Sequence, residues 1–374
     1  MNFFLFLWSE LKRFDWIIIG FALGIVAVGL SAIYSIDLSR GDTLTFFPTQ
    51  SLALFLGLGG LFLLGSLHVS VFRSSAQLSY WIALLLLVGV LIFGDTIRGT
   101  TGWFRVFGFS FQPAEFAKIG CILMLSWWIN KQGRRFDRLE FVVSSGLSTL
   151  IVCGLILLQP DLGSASVIGA IWFGMLVLAG VQKKYIGGLM LFLGAATLFS
   201  WFFLFAPYQK DRVLNFLYPE KDPLRSGYNV SQSIIAIGAG QITGRGLGFG
   251  SQSQLHFLPE AQTDFIISVI GEELGFVGIS LVLFLFIGLL WRLLSIARRT
   301  EDDFCAFILF GTAILFFVQI FVNIGGATGV LPVTGVTLPF LSYGGSSLIM
   351  NFLLLGIVQS VVRSLPKMQK IAMK

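Results

Sequence analysis

Charged side chains are scarce in this sequence. Asp, Glu, Lys and Arg make up 12% of the 374 residues, whereas 56% are hydrophobic and the mean hydropathy is +0.87. Soluble domains carry about 25% charged residues. The composition therefore excludes an ordinary water-soluble domain and predicts a polytopic membrane protein.

Histidine and cysteine are also rare, which limits the chemistry further. His68 and His256 lie far apart in the sequence, and this argues against a histidine-based metal site or a Ser-His-Asp triad. Cys121, Cys153 and Cys305 fall inside apolar runs and show no CxxC spacing. We interpret them as small buried side chains, without a disulfide framework or a structural zinc site.

Long apolar runs recur along nearly the whole chain. A bilayer core needs about 20 apolar residues per helix. The runs predict an all-α polytopic membrane protein, with the chain 1–374 forming a single integral membrane domain. Its ten transmembrane helices are expected at 15–36, 46–67, 78–95, 113–130, 141–158, 163–181, 185–206, 264–291, 304–328 and 343–362.

The basic residues predict the orientation of these helices. The pI of 9.3 is compatible with a nucleic-acid partner, but most Lys and Arg residues lie in short loops between apolar runs. Such loops face the anionic cytoplasmic leaflet, so we expect no nucleic-acid partner and two cytoplasmic termini. A large extracellular loop, 207–263, then lies between helices 7 and 8. The first apolar run lacks a cleavage site and is expected to be retained.

A glycine series, GAGQITGRGLGFGSQ at 238–252, contains overlapping versions of the GxGxxG pattern. No strand precedes it and no strand–helix alternation surrounds it, which argues against a Rossmann dinucleotide site. The short cytoplasmic loops also offer no evident place for ATP. We expect these glycines to permit tight turns and a close approach of the loop backbone to a helix or a ligand.

Asp264 lies where this loop meets the eighth span, in LPEAQTDFIISVI. One interpretation is structural: Thr263 caps the helix and Asp264 complements its N-terminal dipole. The other is functional. At 100° per residue, Gly271, Gly275 and Gly278 share the face of Asp264, and such a small-residue stripe suits close helix packing. This places the carboxylate inside the bundle.

Other ionisable residues fall within or beside apolar segments. Glu272 and Glu273 follow Asp264 in an apolar run, where charged groups usually pair or line a polar cavity. In QPAEFAK, Pro113 suits a first helical turn, and Glu115 and Lys118 are spaced to form an i,i+3 ion pair. A local ion pair is the structural interpretation; a lysine just inside the outer leaflet would also be a good neighbour for a phosphate-bearing substrate.

Two further segments contain polar residues close to predicted spans. In QPDLG, helix capping explains Asp161 about as well as a functional role does, and Gln159 lies beside it. The irregular segment VLPVTGVTLPFLSYGGSS is expected to line the outer opening. Asn323 is expected to make a hydrogen bond from one helix to another. Positive charge around the same opening comes from loop arginines: Arg98, Arg105, Arg212 and Arg245.

Six segments together resemble the signature blocks of the SEDS family, the RodA and FtsW type of bacterial shape, elongation and division proteins. They occur in order along the chain: FQPAEFAK, LLQPDLGSA, YQKDRVLNFLYPEKDP, GYNVSQSIIAIGAGQITGRGL, SQSQLHFLPEAQTDFIISVIGEELGFVG and VLPVTGVTLPFLSYGGSS. GYNVSQS and SQSQLHFLPE favour the rod-shape branch.

The resemblance implies a ten-span peptidoglycan glycosyltransferase of the bacterial cytoplasmic membrane. Such an enzyme polymerises lipid II on the outer face, in complex with a class B penicillin-binding protein. The catalytic aspartate of the family corresponds to Asp264. The other positions that match family motifs are Trp103, Gln112, Glu115, Lys118, Gln159, Asp161, Arg212 and Glu260.

Two positions depart from the family pattern. Gly102 stands before Trp103 where an Arg is common, so a substrate contact is expected to have moved to Arg105 or Arg98. Gln262 replaces the usual His before TDF, which removes a titratable neighbour of Asp264.

The expected mechanism needs few groups. Asp264 acts as general base on the acceptor 4-hydroxyl, or it holds a divalent cation such as Mg²⁺ or Mn²⁺. Lys118 and an outer-loop arginine such as Arg245 neutralise the diphosphate; no nucleotide is expected. Two alternatives stay open: a flippase or transporter of the lipid-linked precursor, and a non-enzymatic scaffold for the penicillin-binding protein. Clustering of polar groups at the outer face argues against transport.

Overall fold

The computed structural model describes residues 13–41, 44–97, 100–106, 109–132, 139–203, 210, 214 and 226–365. Most of these residues are helical. The helices are α1 Trp16–Leu38, α2 Phe46–Ser66, α3 Val69–Phe93, α4 Pro113–Gln132, α5 Leu139–Leu157, α6 Leu162–Ala179, α7 Lys183–Phe203, α8 Ser226–Ala239, α9 Ser251–Gln254, α10 Ile266–Arg299, α11 Asp303–Ala327 and α12 Gly345–Ser364.

Ten of the described helices are long enough to cross a bilayer. Nine of them, α1–α3, α5–α7 and α10–α12, are also apolar enough on composition alone. The tenth, α4, has 20 residues and is mostly buried, but polar side chains such as Glu115 and Lys118 lower its hydropathy. Over the described residues the polytopic helical fold is confirmed, and α4 is recognised by its burial.

Two helix boundaries differ clearly from the predicted ones. α3 begins at Val69 instead of residue 78, because the segment before residue 78 continues the helix and buries Val69, Phe72 and Ala76. α10 continues to Arg299, eight residues beyond the predicted end. In both cases a partly polar end of the helix does not look like a membrane span in the sequence.

A small antiparallel sheet between α3 and α4 was not predicted. Its strands are β1 Asp95–Ile97, β2 Thr100–Val106 and β3 Phe109–Phe111, in the order β1-β2-β3. The register pairs Asp95 with Trp103 and Arg105 with Ser110. This short element adds to the all-α polytopic fold, which is confirmed over the described residues.

α11 and α12 form the centre of the bundle. α11 packs against α4, α6 and α10, while α12 packs along α2. The α2–α12 contact is close at Gly356, where an added Cβ would lie 2.9 Å from the carbonyl oxygen of Leu61. α7 differs from both, since it buries none of its residues. Among the described spans, α7 therefore presents its apolar surface outward.

α10 is interrupted at Gly275, which has φ 65° and ψ −161°. The segment 241–246 fills the gap with main-chain hydrogen bonds. Arg245 N donates to Glu272 O at 3.0 Å, Gly246 N to Glu273 O at 2.9 Å, and Phe276 N to Gln241 O at 2.9 Å. The prediction that the glycine series allows a close backbone approach is confirmed at Gly240, where a Cβ would lie 1.8 Å from Gly271 O.

The side chains of Glu272 and Glu273 join α9 and α1 to the first part of α10. The Glu272 carboxylate accepts hydrogen bonds from Gln252 N at 2.8 Å and Ser253 N at 3.1 Å. The Glu273 carboxylate accepts from the Ser35 hydroxyl at 2.5 Å and from the Gln254 amide at 3.3 Å. Both carboxylates are buried and paired, as their positions in the sequence predicted.

Candidate functional site

Asp264 lies in a turn just before α10. The helix begins at Ile266 with Phe265 as its N-cap, and no side chain donates or accepts a capping hydrogen bond there. The prediction that Thr263 caps this helix is wrong. The expectation that Asp264 shares a helical face with Gly275 and Gly278 is also wrong, because Asp264 precedes the helix and Gly275 breaks it.

Asp264 nevertheless faces the interior, as predicted. It lines a pocket between the end of α11 and the segment that follows it, together with Val322, Asn323, Gly326, Ala327 and residues 333–336. The room for the centres of water molecules is about 10 Å³, which is about enough for one water molecule. A sugar can enter only after these walls separate.

The turn that carries Asp264 is held by Glu260. Its backbone lies in the left-handed region, with φ 54°, and its carbonyl oxygen accepts from Thr263 N at 3.1 Å. The Glu260 carboxylate accepts from the Thr263 hydroxyl at 3.2 Å and from the Gln262 amide at 3.4 Å. The predicted site residue Glu260 therefore shapes the turn and is not part of the pocket wall.

Asn323 joins both walls of the pocket. Its Nδ2 donates to Val336 O at 2.8 Å and to Asp264 O at 3.3 Å. The predicted role of Asn323, a helix-to-helix bond, was too narrow, because one amide fixes two non-helical segments. The one sequence feature that pointed to Asn323 was a polar amide four residues before the end of the apolar helix α11.

The segment after α11 is fixed to the Asp264 turn as well. The Ser342 hydroxyl donates to Thr263 O at 2.7 Å, and Tyr343 N donates to Gln262 O at 2.8 Å. Gln50 of α2 donates to Ser342 O at 3.1 Å and accepts from Gly344 N at 3.0 Å. This irregular backbone is tolerated inside a helix bundle because protein groups satisfy it.

Gln112 and Asp161 meet directly beside the same segment. The Gln112 amide donates to the Asp161 carboxylate at 3.2 Å, and that carboxylate also caps α6 through Ser164 N at 2.9 Å. Gly163, two residues on, packs so tightly on Thr334 that a Cβ would lie 2.7 Å from its carbonyl oxygen. The structure therefore brings Gln112 and Asp161 to the outside of the wall that faces Asp264.

Glu115 and Lys118 form the predicted ion pair. The Lys118 ammonium lies 2.8 Å from Glu115 Oε1, and both side chains are almost fully buried, at 3% exposure for Lys118 and 6% for Glu115. At 100° per residue they share a face of α4 with Ile122, which packs against Gly311 of α11. The pair therefore faces the helix that carries Asn323.

The remaining predicted site residues lie elsewhere. Arg105 pairs with Asp95 at 3.7 Å on the exposed face of the small sheet, where Trp103 is the partner of Asp95 in the β1–β2 register. Arg245 donates to Ser251 at 2.9 Å within its own loop. Gln159 is buried and donates to Leu87 O at 3.4 Å. Arg98 and Arg212 lie outside the described residues.

The side chains around Asp264 could bind a divalent cation only if a substrate supplied further ligands. Over the residues that the structure describes, no group of three His, Cys, Asp or Glu side chains gathers. Mg²⁺ commonly takes one or two carboxylates together with phosphates and water. Asp264 is therefore suited to be one ligand of an ion whose other ligands come from a diphosphate.

The sequence matches the family model for FtsW, RodA and SpoVE, described as cell cycle protein, over residues 12–367. The chain belongs to this family. It is 38% identical over 342 residues to a probable peptidoglycan glycosyltransferase FtsW of Thiomicrospira cyclica, covering 90% of this chain and 87% of that protein. It is 40% identical over 294 residues to the peptidoglycan glycosyltransferase MrdB of Escherichia coli K12, covering 78% of each.

A solved structure supports the same assignment. A chain of the structure described as "Structural coordination of polymerization and crosslinking by a peptidoglycan synthase complex" superposes with a TM-score of 0.80 at 36% identity. The match covers 94% of this chain and 98% of that one. The SEDS resemblance is confirmed. The family model spans both branches, so the rod-shape assignment stays a prediction.

Proposed function

We propose that this SEDS protein is a peptidoglycan glycosyltransferase that polymerises lipid II at the outer face of the bacterial cytoplasmic membrane. The observation that carries this proposal is the position of Asp264, on the wall of a pocket between α11 and residues 333–336. One relative of the chain is named a probable peptidoglycan glycosyltransferase, FtsW, and another the peptidoglycan glycosyltransferase MrdB. Both termini are cytoplasmic in this proposal.

Asp264 acts as general base. It takes the proton of the acceptor 4-hydroxyl as that oxygen attacks the anomeric carbon, and the lipid diphosphate leaves with the bonding electrons. Such proton transfer contributes about 10²- to 10⁴-fold in rate. One displacement inverts the anomeric carbon, so no covalent nucleophile is needed. A bound Mg²⁺ or Mn²⁺ would neutralise diphosphate charge, with Asp264 as one ligand.

Lys118 stabilises the leaving diphosphate once the pocket opens. In the described structure its charge is neutralised by Glu115 at 2.8 Å. An ammonium has three N–H donors, so Lys118 can bind a phosphate oxygen while it keeps Glu115 as a partner, and neither buried charge becomes isolated. A class B penicillin-binding protein is the proposed partner, and the similarity of this chain to one chain of a peptidoglycan synthase complex supports it.

The variant Asp264→Asn tests the role of Asp264 as general base. Asp264→Asn keeps the size of the side chain and removes its basicity, so glycan synthesis from labelled lipid II should fall at least about 100-fold. The measurement uses purified protein with Mg²⁺ or Mn²⁺, and thermal unfolding in detergent verifies the fold.

Asp302→Asn is the matched control, because Asp302 caps the opposite end of α11, about 30 Å away along that helix. It should retain activity. Full activity of Asp264→Asn would refute the general-base role. Transbilayer movement of lipid II without glycan would indicate the flippase, and neither activity would indicate the scaffold.

A further inference from the structure

Four buried polar atoms, carried by three side chains at or next to the Asp264 pocket, have no hydrogen-bond partner among the described residues. The side chains are Gln319, with both amide atoms, Asn323, with Oδ1, and Thr334, with its hydroxyl. Gln319 is completely buried and Asn323 is 5% exposed. An unsatisfied buried polar group costs about 1–3 kcal/mol, and usually marks a site for water, an ion or a ligand.

These side chains lie along one line. Asn323 and Thr334 are part of the pocket wall that faces Asp264. Gln319, Val322, Asn323 and Gly326 recur at i, i+3, i+4 and i+7 on α11, so they share one face of that helix. The last three line the pocket. Gln319 therefore extends the wall of the pocket by one helical turn, about 5 Å.

The chemistry of the free atoms indicates the ligand. Gln319 offers an NH₂ group that donates and a carbonyl oxygen that accepts, which together complement the C=O and N–H of an acetamido group, whereas a metal ion would leave the NH₂ without a partner. Asn323 Oδ1 and the Thr334 hydroxyl suit sugar hydroxyl groups. An N-acetylated hexopyranose carries a 4-hydroxyl and a 2-acetamido group, separated by roughly one helical turn, about 5 Å.

We propose that Gln319, Asn323 and Thr334 form a subsite next to Asp264 that binds the N-acetylated acceptor sugar. In this subsite the Gln319 amide hydrogen-bonds the acetamido group. The proposal rests on the glycosyltransferase function. The narrow pocket, with room for about one water molecule, is the state before the sugar enters. Sugar binding then satisfies the polar atoms that the narrow pocket leaves without partners.

The test compares two lipid-linked disaccharides that differ only at C2 of the terminal sugar, one bearing the acetamido group and one a free amine. Binding of each to the purified full-length protein is measured with a fluorescent lipid carrier. Wild type should prefer the acetylated form by roughly 10- to 100-fold, as expected for lost hydrogen bonds in a buried site. Gln319→Leu should abolish this preference.

Stability separates binding from a structural role. Leu matches Gln in size and leaves no unsatisfied amide, so Gln319→Leu should unfold at the same or a higher temperature than wild type. Thr312→Val is the control. Thr312 is fully buried two turns earlier on α11, and its hydroxyl donates to Ile308 O at 2.8 Å. This variant should keep the preference for the acetylated sugar.

Two results would overturn the subsite: Gln319→Leu keeps the acetamido preference, or it lowers the unfolding temperature and weakens both ligands equally. Polymerisation is measured on the same samples. If wild type makes no glycan, the glycosyltransferase proposal fails, while the binding preference still decides whether the subsite exists.

Discussion

At the scale of single residues, buried polar side chains in this protein act as clamps between distant parts of the chain. Asp15 is an example at the start of α1. Its carboxylate caps the helix through Ile17 N and Ile18 N, and pairs with Arg292 of α10 at 2.8 Å. The amide of Gln359 on α12 bonds the Asp15 backbone at N and O, at 2.8 and 3.1 Å. One residue thus joins three helices.

Removing one member of the Asp15–Arg292 ion pair should lower the stability of the fold. Arg292→Leu leaves the Asp15 carboxylate, 4% exposed, without its opposite charge. Breaking a buried pair typically costs about 3–5 kcal/mol, which should appear as a large drop in the thermal unfolding temperature in detergent. Adding Asp15→Asn should restore part of the loss. Arg298→Leu, at an exposed position on the same helix, should change little; equal losses for the two arginines would contradict the clamp.

The sequence predicted some of these residues and not others, for a physical reason. Glu115 and Lys118 are paired within one helical turn, so spacing alone was sufficient. Asp264 was placed in the interior correctly, but on the assumption of a continuous helix. The role of Asn323 depends on which irregular segments pack against α11, and local sequence contains no information on that contact.

At the scale of elements, the broken helix α10 depends on the glycine-rich segment beside it. Gly240→Ala would place a Cβ 1.8 Å from Gly271 O, so we expect the segment 241–246 to detach from the break. Amide hydrogen exchange should then accelerate at Arg245, Gly246 and Phe276, which donate the bridging bonds. Glycan synthesis should fall with it, since Asp264 precedes the same helix.

Gly238→Ala provides the matched control for this change. Nothing lies within 4 Å of a Cβ at position 238, and the residue is within α8. Alanine is favoured over glycine inside a helix, so exchange and activity should stay as in wild type. Equal exchange in the two variants would show that the close contact does not hold the segment.

Element boundaries were predictable where apolar runs end in clear turns. The break at Gly275 was not, because glycine is common in apolar helices and its neighbours are equally apolar. The main-chain partners that make the break tolerable come from about 30 residues earlier. The small sheet was missed because its strands have only three to seven residues.

At the scale of the whole molecule, Arg73 of α3 and Asp302, the N-cap of α11, connect helices far apart in sequence through a salt bridge. Partial burial acts to raise the pKa of Asp302, but the hydrogen bonds from Arg73 and from Cys305 N, together with the charge of Arg73, outweigh it and hold the pKa below its usual value. The stabilisation is therefore complete above the unfolded pKa of about 3.9, and is lost as pH falls through the lower folded pKa.

A pH series tests this connection. Asp302→Asn should unfold at a lower temperature than wild type between pH 5 and 8, and the difference should shrink below about pH 4. The effect should be modest because the Asp302 side chain is 41% exposed. Arg73→Gln should behave in the same way, and the double variant should add little. A difference that is no smaller at about pH 2.5 than at pH 7 would contradict the assignment.

Nine of the ten spans meet the apolar length that a bilayer imposes on every helix, whereas α4 is recognised by its burial. The arrangement of the spans does not follow from apolar length, because helices in lipid associate through packing details at particular residues.

The bridge across Gly275 makes the loop segment 241–246 part of the helix α10. The main-chain donors and acceptors of this segment replace the hydrogen-bond partners that α10 loses at the break. In a bilayer core no water is present to replace them. A deletion between 240 and 250 would therefore do more than shorten a loop. It would leave backbone polar groups of α10 without hydrogen-bond partners, so insertions and deletions there should be tolerated far less than in the other connections.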